Sequence, residues 1–396
     1  MLNYHTAGES HGKGILALID GFPAGISVDE AVINHELQRR QGGYGRGGRQ
    51  ELETDTAEVL TGVWGNLTLG APVALWVKNR DYRLPGLTDL ESPRPGHGDL
   101  SGSRKYLSSM RGILERASAR ETAGRVAAGA LARQLLSVLG VEIFGFVTRI
   151  GQAELPVSQR AEELFSLVEA GVQEEAPETL RKIRDSSPVY SLAEEAEDLR
   201  AKAEIDAAKA AGDTLGGLVE VRVVGVPFGL GTHAQWDAKL DGLLAQAVMA
   251  VQAIKGVEIG LGFRSAELPG SEVHDIIRYD QWSAESRTCG FERPTNRAGG
   301  LEAGMTNTKP IVVRAAMKPI ATLKKPLESV NLKTLEPQAA SWERSDTCAV
   351  PATSVVLENV VAFTIAQAVV EKFGGDSLQE IIARWDLYQI LAQDMS

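Results

Sequence analysis

"SARETAGRVAAGALARQLLSVLGVEIFGF", residues 118–146, is the stretch on which the fold turns. Ser118 stands three residues ahead of Glu121, a capping-box spacing that predicts a helix starting there. Alanine and glycine run through the centre of that helix, so it must lie close against other backbone. Gly140 ends it, since glycine readily takes the left-handed conformation at a helix C-terminus. The pattern returns in "AVMAVQAIKGVEIGLGF", residues 247–263. Both stretches run helix, then Gly-Val-Glu-Ile, then Gly and Phe. The echo reads as an old duplication, with two similar halves packed together. No short-period repeat or low-complexity segment accompanies it.

Working outward, "KGILALID" (13–20) reads as the first strand, closed by the turn "GFPAG". "SVDEAVINHELQRR" (27–40) opens with a second capping box, Ser27 and Glu30, and predicts a helix to about Arg40. "AEVLTGVWGNLTLGAPVALWVKN" (57–79) predicts two strands around a Gly-Asn turn, and "GGLVEVRVVGVPFGLG" (216–231) a strand pair. "AKLDGLLAQAVMAVQAIKG" (238–256) and "SVVLENVVAFTIAQAVVEKFGG" (354–375) read as helices with broad apolar faces, hence buried.

With 396 residues, 43% of them hydrophobic and 23% charged, the chain can bury a large core without disulfide staples. Its two cysteines, Cys289 and Cys348, form no CxxC pair. That suits a reducing cytoplasm and argues against a structural zinc site. No leader pattern opens the chain, and no apolar run reaches the ~18 residues needed to cross a bilayer, so no membrane is expected. A net charge of −11 disfavours nucleic acid as a partner.

That charge is unevenly spread. Acid concentrates in "RAEELFSLVEAGVQEEAPETL" (160–180) and "SLAEEAEDLRAKAEIDAAKAAG" (191–212), which read as solvated helices without chemistry. Arginine concentrates in "LQRRQGGYGRGGRQ" (37–50) and "GSRKYLSSMRGILERASARETAGR" (102–125). Two arginine-rich stretches in an acidic chain point to a small polyanion, because the guanidinium fork meets phosphate and carboxylate oxygens in pairs. "GYGRGG" has the dinucleotide glycine spacing, but it follows a helix rather than a strand, so it reads as a flexible arginine-bearing loop.

Two histidines have polar company. His11 lies in "GESHG" (8–12), and His97 in "SPRPGHGDLSG" (92–102), beside Arg94 and Asp99. A histidine between glycines is not a packed core residue; a bond to a loop carbonyl and a catalytic role both remain open. Glu9, placed next to an anion, is expected to turn away and hold the loop through backbone N–H or an arginine.

"GESHG", "RRQGGYGRGGRQ", "RPGHGDLSG", "ERASARETAGRVAAG", "QAIKGVEIG", "TNRAGGLEAGMTN", "RAAMKPIATL" and "RSDTCAVPA" follow one another in that order. Together they resemble the chorismate synthase family from about residue 3 to residue 375. The resemblance implies a single α+β domain over residues 1–396, with helices sandwiched between antiparallel β-sheets in two pseudo-symmetric halves. It implies a homotetramer, bound reduced FMN, and elimination of phosphate from 5-enolpyruvylshikimate 3-phosphate. By residue, it makes His11 a general acid beside the leaving phosphate, His97 the group that protonates reduced flavin, and Asp346 a participant in deprotonating flavin N5. It gives substrate anions to Ser10, Arg40, Arg46, Arg49 and Arg344, with Arg40 and Arg46 also at positions for NADPH. It gives FMN to Arg116, Ala117, Ser118, Gln252, Ala253, Ala303, Lys318, Pro319, Ile320, Ala321, Thr322 and Arg344. Ser118, as a capped helix start, is also a natural phosphate site. The chain departs from the family at Gly98, in "KYLSSMR", at Leu261 and at Ala303, which touches the expected flavin contact. A flavin reductase and a non-catalytic anion-binding protein are the rival classes.

Overall fold

The computed structural model describes residues 1–47, 54–343 and 345–394. Its first half contains strands β1 (Asn3–Ala7) and β2 (Gly14–Asp20), helix α1 (Glu30–Gln41), strands β3 (Ala57–Thr61) and β4 (Val73–Lys78), and helix α2 (Thr122–Val138). Its second half contains β5 (Glu142–Ile150), β6 (Gly217–Val224), α3 (Leu240–Met249), β7 (Ile254–Ile259), β8 (Ile311–Met317) and α4 (Val350–Phe373). The first sheet has the order β1-β2-β4-β3 and the second β5-β6-β8-β7, with the short strand Ala153–Glu154 added outside β5, and every pairing is antiparallel. Each half therefore runs strand, strand, helix, strand, strand, helix, and each sheet places its strands first-second-fourth-third.

The two halves do repeat one another in topology, but the sequence echo marks a different register. In the repeat, α2 corresponds to α4 and α3 to α1, whereas the echo matched α2 with α3. Gly-Val-Glu-Ile is simply how two non-equivalent helices lead into strands.

Helices fill the space between the sheets. α2 packs on β1, β2 and β4, α4 packs on β5 and β6, and the two helices press against each other. The glycines of α2 are what permit this. A Cβ on Gly129 would lie 2.2 Å from the Asn359 carbonyl oxygen of α4, and one on Gly124 would lie 3.0 Å from Thr6 Cγ2. Across the second interface, a Cβ on Gly145 of β5 would lie 2.5 Å from Ser354 O. One apolar core runs from Leu2 to Trp385 through both halves.

α4 is long and apolar enough to cross a membrane by length and composition, although Glu358 and Asn359 interrupt its apolar run, and 89% of its apolar window is buried inside the protein. It carries Glu358, fully buried, into a cluster of ion pairs with Arg39, Arg133 and Arg184. Glu36 and Asp185 complete three carboxylates against three guanidiniums. Burial pulls Glu36 toward neutrality, but Arg39 and Arg133 outweigh it and hold its carboxyl well below the ordinary range.

Several local expectations change. A strand, β1, precedes "GESHG". α1 is capped by Asp29, whose side chain accepts from Ala31 N at 2.8 Å, while Ser27 lies two residues before the cap in an extended backbone bridge with Leu67. Ser118 caps only a one-turn 3₁₀ segment, Ala119–Glu121, and Glu121 does not reach back to it. The Gly65–Asn66 turn exists, with positive φ at both residues, but it closes a two-residue hairpin while β3 pairs directly with β4. Phe228–Gly231 leaves β6 for a separate three-stranded sheet, turned aside at Gly225 (φ +95°), which packs against Gly140.

Candidate active site

The loops that close the two halves meet around a cavity of about 460 Å³, a volume within the roughly 300–1,000 Å³ of small-molecule sites. Ser10, His11, Arg40, Arg46, His97, Ala117 and Ser118 line it from the first half. Gln252, Ala253, Lys318–Thr322 and Asp346 line it from the second. Fifteen positions singled out in the sequence thus come together from eight separate segments.

Four do not join them. Arg116 donates to the carbonyls of Thr6 and Gly8 at 2.8 and 3.1 Å and lies beside the cavity rather than in its wall. Ala303 sits at a turn between Leu301–Glu302 and Met305–Asn307, outside the lining. Arg49 and Arg344 lie outside the described residues.

The "GESHG" loop is held from below by Asn79 at the end of β4. Its Nδ2 donates to the carbonyls of Glu9, Ser10 and Gly12 at 3.1, 3.2 and 2.9 Å. Its Oδ1 accepts from Arg120 Nε at 2.7 Å. Glu9 is exposed and folds back over Gly12, where a Cβ would come within 2.6 Å of Glu9 Oε2. Glu9 therefore contributes its carbonyl to the loop, and the side chain that anchors the loop is an asparagine.

His11 is buried and bonded on both sides. Nδ1 lies 2.9 and 3.0 Å from the two oxygens of Glu115, and Nε2 lies 3.1 Å from an Arg83 nitrogen and 3.7 Å from Asp81. A carboxylate accepts and a guanidinium donates, so in this arrangement Nδ1 carries the hydrogen and Nε2 the lone pair. Burial works to raise the Glu115 carboxyl, but its hydrogen bonds to His11, with Arg111 nearby, bring it below its ordinary value.

His97 also pairs with a carboxylate, but here an Arg94 nitrogen lies 3.0 Å from the same Nδ1 rather than across the ring. Its Nδ1 lies 2.5 Å from Asp99, which also receives Arg94 at 2.8 and 3.0 Å. Against burial, these partners hold the Asp99 carboxyl far below the carboxylate range.

The arginines are aimed by carboxylates. Asp55, buried, accepts from Arg40 at 2.5 Å and from Arg120 at 2.7 Å. Asp346 accepts from Arg46 at 2.7 Å and from Gly47 N at 2.6 Å. The predicted flexible loop is in fact zipped to its neighbour over residues 43–47: Gly45 O accepts from Thr347 N and Cys348 N. Gly45 has φ +95°, and a Cβ there would lie 2.9 Å from Cys348 Cβ. Even so, Arg40 Nε, Arg46 Nε and Arg120 Nη2 are buried with no hydrogen-bond partner among the described residues. Burial lowers the Arg40 guanidinium; Asp55 opposes the shift, and the charges of Arg120 and Arg46 add to it. Three crowded cations with unused donors are a site for an oxyanion.

Sequence reasoning missed Asn79 and Asp55. Asp99, Glu115 and Arg120 stood inside quoted motifs and could have been taken with them. Asn79 carries no local signal, because its role comes from a loop nearly seventy residues away in the chain.

Against known proteins, the chorismate synthase family model matches residues 2–370. The chain belongs to the chorismate synthase family. Chorismate synthase of Desulforamulus reducens is 51% identical over 402 residues, covering 98% of each chain, and that of Moorella thermoacetica is 50% identical over the full length of both. A crystal structure of chorismate synthase superposes with a TM-score of 0.78 at 42% identity, covering 99% of this chain and 98% of that one. Membership makes the chain a lyase acting at the last step of the shikimate pathway. Seven of the eight motifs that suggested the family contribute to the cavity walls; "TNRAGGLEAGMTN", residues 295–307, lies outside them.

Proposed function

We propose that the chain eliminates phosphate from 5-enolpyruvylshikimate 3-phosphate by a 1,4-anti route to give chorismate, with reduced FMN bound and no net redox change. The observation that carries this reading is the trio of buried, unpartnered donors on Arg40, Arg46 and Arg120. A substrate bearing one phosphate and two carboxylates supplies the acceptors they lack.

In the reaction a C–O bond to phosphate and a ring C–H bond break, and a new C=C forms. Reduced FMN, when bound, supplies electron density to the substrate ring and recovers it, which is how a poorly acidic proton can be lost. Ala117, Ser118, Gln252, Ala253 and Lys318–Thr322 would hold it: all line the cavity, and Gln252 Oε1 is buried and lacks a partner among the described residues.

The protein's part is to bind, orient and move protons. Ser10 and the arginines hold the anions. His11, its Nδ1 fixed by Glu115, exchanges a proton at Nε2 as phosphate leaves. His97, its Nδ1 fixed by Asp99, keeps Nε2 for proton exchange with the ligand. Asp346, paired with Arg46 and the Gly47 N–H, is the terminal acceptor for the substrate proton. Arg40 and Arg46 serve NADPH as well, if the chain reduces its own flavin. The working form is a homotetramer in the cytoplasm.

The test is anaerobic turnover with chemically reduced FMN and the phosphorylated substrate, following phosphate and chorismate together. Equal release of both, with no loss of reduced flavin, is expected. Steady NADPH consumption without that substrate would make the chain a reductase instead, and binding without product would make it an anion-binding protein. Sedimentation gives the assembly.

A further inference from the structure

Glu121 is buried beside the cavity, and both of its carboxylate oxygens are bonded. Thr6 Oγ1 donates to it at 2.5 Å, Arg125 Nε at 2.9 Å and Gln252 Nε2 at 2.9 Å. Burial works to raise this carboxyl, but Arg125 first, then the hydrogen bonds from Gln252 and Thr6, hold it below its ordinary value. It therefore stays an acceptor. A carboxylate oxygen cannot donate, so the Gln252 atom facing it must be the amide nitrogen. The amide carbonyl is then the atom that Glu121 does not take up. Gln252 lines the cavity, and its Oε1 is buried without a partner among the described residues.

Unused groups of two kinds thus meet in one cavity. Arg40, Arg46 and Arg120 offer donors, which suit the oxygens of phosphate and carboxylate. Gln252 offers an acceptor, which ionised phosphates and carboxylates cannot satisfy because they have no hydrogen to give. A ligand N–H satisfies it, and the oxidised flavin ring has a single N–H, at N3.

Resting on the FMN reading above, we propose that Glu121 is a positioning residue: it locks the Gln252 amide with its carbonyl toward the cavity, so that the site takes the flavin ring through its N3–H. Arg125 and Thr6 hold Glu121 in turn, so the orientation is set before any ligand arrives. An unlocked amide could turn its NH₂ toward N3–H, and the bond would be lost.

The experiment uses the full-length protein and nitrogen-15-labelled oxidised FMN, observed by NMR. In the wild type, the bound N3–H should give a resolved cross-peak, shifted from free FMN and protected from solvent exchange. In Glu121→Gln, protection should be lost and FMN affinity should fall about tenfold, as expected for a buried acceptor left unmade. Unchanged protection in a folded Glu121→Gln protein overturns the positioning role. Should that variant fail to fold, the wild type still decides: an N3–H exchanging as fast as in free FMN, while FMN is bound, overturns the proposal. No binding of FMN at all defeats the FMN reading itself, a result plainly different from binding without protection.

Discussion

Glu115 holds His11 twice: its carboxylate takes the ring nitrogen Nδ1 at 2.9 Å and the backbone N–H of the same residue at 2.8 Å. One buried side chain thus fixes both where His11 sits and which nitrogen carries its hydrogen. Glu115→Gln keeps the shape but can offer an NH₂ where an acceptor is needed. Turnover should fall ~10²-fold or more if the tautomer matters to proton transfer, with substrate affinity nearly unchanged. Steady-state kcat and KM measured separately check this; a loss confined to KM would make Glu115 a structural support only.

Asp55→Asn strikes the pair that aims two arginines. Removing the carboxylate leaves Arg40 and Arg120 buried with reduced compensation, a loss of about 3–5 kcal/mol for a broken buried pair. Burial raises the Asp55 carboxyl, but Arg40 and Arg120 prevail, so its folded value lies below its unfolded one. Its contribution to stability is therefore complete above the unfolded value of about 4 and fades as pH falls through the folded one. Urea unfolding at neutral and acid pH should show the largest gap between wild type and variant at neutral pH.

Asp346→Asn retains an acceptor for Gly47 N–H but loses the charge that pairs with Arg46. Turnover should fall ~10²–10⁴-fold if Asp346 accepts the proton, while FMN and substrate still bind. Isothermal titration beside single-turnover kinetics separates the two effects. Near-normal turnover would remove Asp346 from the proton path.

Gly45→Ala tests the arginine loop through its backbone. A side chain there meets both the left-handed φ and Cys348, so a strain of ~1–3 kcal/mol is expected. The loop should relax by giving up its bonds to Thr347 and Cys348, carrying Arg46 away from Asp346. Substrate affinity should weaken, and the buried Cys348 thiol, pushed up by burial to about 11, should become open to alkylation near neutral pH. A fully protected Cys348 in the variant would show that the loop held.

Much of this molecule could be read before it was seen, for identifiable reasons. The small-residue centre of α2 announced backbone contact, and Gly129 against Asn359 is that contact. His97 between its glycines and the grouped arginines announced a site, although one of those arginines, Arg39, serves the buried ion-pair cluster instead. What escaped reading is whatever depends on distant partners. Asn79, Asp55 and Glu115 are ordinary residues in sequence, and each acquires its meaning from a loop or helix elsewhere in the chain. Ser27 and Ser118 escaped in the opposite sense: their spacing fits a capping box, and tertiary contacts assign them other work.

Glu358 has a consequence for how the chain is handled while it is being made. A nascent segment like α4 offers an insertion machinery the length and hydropathy of a membrane anchor. A charge near the middle of such a segment costs about 2.5–3.5 kcal/mol to place at the bilayer centre. Glu358, with Asn359 beside it, falls in the central part of the 24-residue helix. The carboxylate that gathers three arginines in the finished core is thus also the residue that opposes diversion of this helix into lipid during synthesis.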